Sequence, residues 1–80
     1  MKLSEKISEI LDEIGYNSNM IKICHHNIQV YKQLTANYNT DESTQIDNER
    51  KHISALKNKN TELWNQYKQL ITNEYERINR

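Results

Sequence analysis

The sequence predicts an all-α protein, an antiparallel helical hairpin with a short amino-terminal third helix, forming a three-helix or coiled-coil-like bundle that dimerises. Three observations carry that expectation. The 80 residues contain no Pro and one Gly, so little punctuates the chain. Apolar residues recur at spacings of three and four almost everywhere, which is the period of a helix. The two-residue alternation and turn pairs of β-hairpins are missing.

The first element is expected over about residues 4–14. Leu3, Ile7, Ile10, Leu11 and Ile14 make one apolar stripe opposite Glu5, Glu9, Asp12 and Glu13. Ser4 is placed to cap its amino end, and Gly15 suits the left-handed residue just past a helix. "GYNSN" then reads as a break, with Asn17 or Ser18 as the next cap.

The second helix is expected over about 18–38. At about 100° per residue, Met20, Ile21, Ile23, Cys24, Ile28, Val30, Tyr31, Leu34 and Tyr38 share one half of the cylinder. His25 and His26 fall on the polar half. The run "CHH" is thus three neighbours pointing three ways, with Cys24 expected as a small core residue.

The third helix is expected over about 44–79, with Thr44 and Asp47 in the form of a capping box. Ile46, Ile53, Asn60, Tyr67 and Glu74 occupy one heptad position, and Glu49, Leu56, Leu63, Leu70 and Arg77 its partner. Trp64, Ile71 and Ile78 widen the seam on one side. A turn of about five residues makes the second and third helices antiparallel, with level residues whose numbers add to about 83. Trp64 is then expected near Met20.

Composition narrows the function. Eleven basic and eleven acidic residues give a net charge of zero, unlike a strongly basic nucleic-acid binder. One cysteine excludes an internal disulfide. The opening "MKLSEKISEILDEIG" lacks the apolar core of a signal peptide, and no apolar run approaches a membrane span. A soluble, intracellular, cytoplasmic protein is expected. Eleven Asn, ten Ile and eight Lys point to an A/T-rich coding genome, such as that of a low-GC bacterium, its phage or a eukaryotic parasite.

Glycine-rich phosphate loops, nucleophile elbows and evident acidic pairs on a cleft are lacking, so no enzyme is expected. A metal site would need His25, His26, His52, Cys24 and nearby carboxylates to converge. No H-x-x-x-H, C-x-x-C or E-x-x-H spacing is recognised, and no metal or cofactor is expected. Asn27 and Asn60 sit near the middle of apolar faces, where a buried amide fixes register.

The expected function is therefore a non-enzymatic module for protein–protein contact, self-associating through Ile23, Tyr31, Leu34, Ile53, Leu56, Leu63, Trp64, Tyr67 and Leu70. Two alternatives stand beside it. One is a small phage or mobile-element regulator that inhibits a larger host protein. The other is a weak nucleic-acid binder using Arg50, Lys51, Lys57 and Lys59.

Overall fold

A computed structural model describes residues 2–79. Helix α1 (Leu3–Tyr38) and helix α2 (Ser43–Ile78) have 36 residues each and form a hairpin. Among the described residues there is no strand. The all-helical class and the antiparallel pair agree with the sequence. The short third helix does not: its residues are the first turns of α1, which runs unbroken through Gly15 and "GYNSN".

The reason is a competition of magnitudes. One Gly inside a helix costs about 1 kcal/mol relative to Ala. Against this stands a continuous seam. Leu3, Ile7, Ile10, Ile14, Asn17, Ile21, Cys24, Ile28 and Tyr31 are all buried or half-buried, at strict steps of four and three. A break at Gly15 would swing Leu3, Ile7 and Ile10 away from α2, and burying such a side chain fully contributes roughly 1.5–3 kcal/mol. The seam wins by several kcal/mol.

The matching seam starts at Glu42, just before α2, and continues on α2 through Ile46, Glu49, Ile53, Leu56, Asn60, Leu63, Tyr67, Leu70 and Glu74, again at steps of four and three. From Ile46 to Glu74 this is the phasing read from the sequence. Arg77, assigned to the same seam, is instead solvent-exposed and ion-paired to Glu74. A tight apolar cluster of Cys24, Ile28 and Ile53, backed by Ile21, Ile46 and Leu56, fills the half nearer the turn. Ile14 and Leu63 are the buried pair of the other half.

The connection is Asn39–Glu42. Asn39 takes the left-handed conformation, φ 54° and ψ 38°, that ends α1. Asn tolerates that region better than most side chains, because its short polar group bonds locally. The expected caps differ. Neither helix start has a side-chain cap: α1 begins after Lys2, and α2 after Glu42. Ser4 and Thr44 lie inside the helices instead. Ser43 donates to Asp41 Oδ1 from both its backbone N–H (3.1 Å) and its hydroxyl (2.8 Å), which orders the turn. Those two bonds hold the Asp41 carboxyl below its ordinary pKa.

The register also departs from expectation. Asn60 would have faced Ile23; it bonds to Asn17, about six residues or roughly 9 Å further along α1. Trp64 therefore does not reach Met20's level. With the hinge at Gly15 gone, α1 matches α2 along its whole length. The molecule is a rod of 65 × 16 × 16 Å with a radius of gyration of 18.5 Å, where a compact 80-residue domain would have about 12 Å.

Candidate functional site

The centre of the rod is polar. Asn17 is buried and donates its side-chain N–H to Asn60 Oδ1 at 3.0 Å. Asn60 in turn donates from Nδ2 to the Ser18 hydroxyl (3.2 Å) and to the Ile14 carbonyl (3.4 Å). Both amides lie on the seam, one from each helix, because each occupies a step of the seven-residue repeat. Displaced registers would set each amide against aliphatic side chains, so this layer fixes the alignment. The register role expected for Asn60 thus has a geometric basis, but its partner is Asn17. Asn27 is half-buried on the flank of the seam.

A second cluster lies about two to three turns nearer the loop. Cys24 is the most enclosed residue of the core, with 2% of its surface exposed. Its Sγ stands 3.4 Å from His52 Nδ1 on α2. Glu49, one helical turn before His52, completes the group: one ligand atom from each of Cys24, Glu49 and His52 lies within 4.8 Å of the others. Glu49 sits on the seam itself, and its Oε2 is buried without a hydrogen-bond partner. Burial pushes the Cys24 thiol up to about 11 from its ordinary 9.0, and the Glu49 carboxylate acts in the same direction. In this state Cys24 is a neutral thiol rather than a nucleophile.

His25 and His26 are exposed and outside this group. The sequence placed Cys24 in the core and these two histidines at the surface, as the structure does. The expectation that no E-x-x-H spacing exists is wrong, and with it the pairing of Cys24 with α2 was passed over. The available signal was Glu49-Arg50-Lys51-His52, an E-x-x-H spacing that puts a carboxylate and an imidazole on one helix face. Only the fold shows that Cys24 meets that face.

The residues expected at a core or interface divide in two. Ile53 and Leu63 are buried, and Tyr31, Leu34, Leu56, Tyr67 and Leu70 are half-buried. Ile23 and Trp64 are each 43% exposed. Ile23 belongs to a row with Tyr16 and Val30, seven residues apart, on the outer flank of α1, beside half-buried Met20 and Leu34. Trp64 belongs to a row with Ile71 and Ile78 on α2, and meets Tyr67 edge-to-face at 5.6 Å. Of the basic set, Arg50 pairs with Asp47 and Lys59 with Glu62, each at 3.9 Å and well exposed. No described helix is long and apolar enough to cross a membrane. Compared with known proteins, the chain matches no family model, no curated sequence and no solved structure.

Proposed function

We propose that the chain is a protein–protein interaction module that pairs with a second copy of itself through the outer flank of α1. The observation that carries this reading is the row Tyr16, Ile23 and Val30, which are 65%, 43% and 38% exposed. They repeat every seven residues on a helix whose seam toward α2 is already filled. A two-fold axis near Ile23 would set Tyr16 of each copy against Val30 of the other, giving a self-complementary contact and a four-helix assembly.

The surface area supports the same reading. A compact monomer of 9.6 kDa exposes about 5,100 Å², whereas this hairpin exposes 6204 Å². The difference, about 1,100 Å², is comparable with the roughly 800 Å² that each partner contributes to a standard interface. Zero net charge removes the long-range repulsion that would oppose two copies meeting.

The test is sedimentation equilibrium at micromolar concentration. The wild-type chain is expected at twice 9.6 kDa. Ile23→Glu with Val30→Glu, both outside the hairpin seam, is expected to halve the mass while leaving the helical circular dichroism in place. A wild-type monomer would overturn this reading and leave the host-directed regulator as the one to pursue.

A further inference from the structure

Cys24, Glu49 and His52 form a donor set that helix packing alone does not require. A buried cysteine usually behaves as a small apolar side chain among aliphatic ones. Here it faces an imidazole nitrogen and a carboxylate delivered by the opposite helix, within one turn of each other. The geometry points to a site for one zinc-class divalent cation, held by Cys24 Sγ, His52 Nδ1 and a Glu49 carboxylate oxygen, with water as the fourth ligand.

Distances support the assignment. Zinc binds thiolate sulfur at about 2.3 Å and imidazole nitrogen at about 2.0–2.1 Å in a tetrahedron, which sets the two donors about 3.6 Å apart. Cys24 Sγ and His52 Nδ1 stand at 3.4 Å, so the edge of the tetrahedron is nearly formed. The third donor lies within 4.8 Å of both, leaving a shift of about 1 Å, within the reach of a Glu side chain, to close the set.

A second observation is independent of those distances. Glu49 places a carboxylate on a seam otherwise lined by Ile46, Ile53 and Leu56, with one oxygen buried and unpartnered. A carboxyl in that position calls for a cation or a strong donor, and the neighbouring Cys24 thiol is only a weak one. Among the described residues no ion pair reaches it; the three present are Arg50–Asp47, Lys59–Glu62 and Arg77–Glu74. A bound divalent ion would satisfy the orphan oxygen and take the Cys24 sulfur as thiolate, the S–H proton leaving to solvent as the metal–sulfur bond forms.

The donor types select the ion. Sulfur and imidazole nitrogen disfavour magnesium and calcium, which prefer all-oxygen shells, and suit zinc or cobalt. His52 is exposed, so the ion has a path from solvent. The site joins α1 to α2 and would act as a cross-helix staple in the turn-proximal half. It is separate from the outer flank of α1, so its success or failure is independent of self-association.

The test uses the full chain, reduced and stripped with chelator, titrated with Co²⁺ alone. One cobalt per chain is expected, with a sulfur-to-cobalt charge-transfer band and the intense visible bands of tetrahedral cobalt; Zn²⁺ should displace both. Zinc at about a hundred times its Kd should raise Tm by roughly 10 °C or more. Cys24→Ala should abolish the charge-transfer band. His52→Ala, at an exposed position and with helical circular dichroism retained, should weaken binding at least about 100-fold, since losing a group that merely orients a ligand costs 10–100-fold. Glu49→Gln should also weaken it, whereas His25→Ala with His26→Ala should leave it unchanged. The inference fails if wild-type protein shows no charge-transfer band. It fails equally if binding follows His25 and His26 or survives His52→Ala undiminished.

Discussion

Asn60 shows how much one side chain can decide. Its amide accepts from Asn17 and donates to Ser18 and to the Ile14 carbonyl, linking three points on α1 to one on α2. Removing it leaves the Asn17 amide buried and unpaired, which costs about 1–3 kcal/mol. Asn60→Ala is therefore expected to lower the unfolding free energy by that amount, read as a lower urea midpoint with an unchanged slope. Replacing both with Leu should recover stability, because an apolar pair satisfies a buried layer as well, while loosening the register. A neutral Asn60→Ala would show the layer to be wet and unimportant. The sequence marked Asn60 by its place amid apolar neighbours. It could not mark Asn17, because the apparent break at Gly15 took that residue off the seam.

At the scale of the element, α1 is the instructive case. Gly15 looked like a terminator because Gly ends helices far more often than it interrupts them. Its environment shows no need for Gly: its φ is not positive, and an added Cβ would meet nothing within 4 Å. Gly15→Ala is accordingly expected to stabilise the protein by about 0.5–1 kcal/mol, read as a higher Tm, by lowering the freedom of the unfolded chain and improving helix propensity. Destabilisation there would mean that α1 does bend at that point. Helix α2 was easier to read. Without a Gly, its repeat could be followed from Ile46 to Leu70, and the buried and half-buried side chains lie where the repeat put them.

The whole molecule is a rod whose helices shield each other along one narrow line. Among the described residues only Ile14, Asn17, Cys24, Ile28, Ile53 and Leu63 are buried, so no separate core remains if the line fails. Leu63, 3% exposed, has no room for a charge. Leu63→Asp is expected to abolish most of the helical circular dichroism, because an isolated 36-residue helix of mixed sequence gains most of its stability from packing. Retained ellipticity would separate helix formation from the seam. The proposed dimer also belongs to this scale, since what it would cover is surface that a two-helix rod cannot bury by itself.

The sequence alone determined the helical class, the antiparallel hairpin and the phase of α2, because these depend on local spacing: which residues share a face, and how short a turn connects two of them. Tertiary structure decided the continuity of α1, the Asn17–Asn60 register, and the meeting of Cys24 with Glu49 and His52. Those depend on how far one helix slides along the other. That offset reflects burial summed over both lengths, a quantity no short stretch of residues contains.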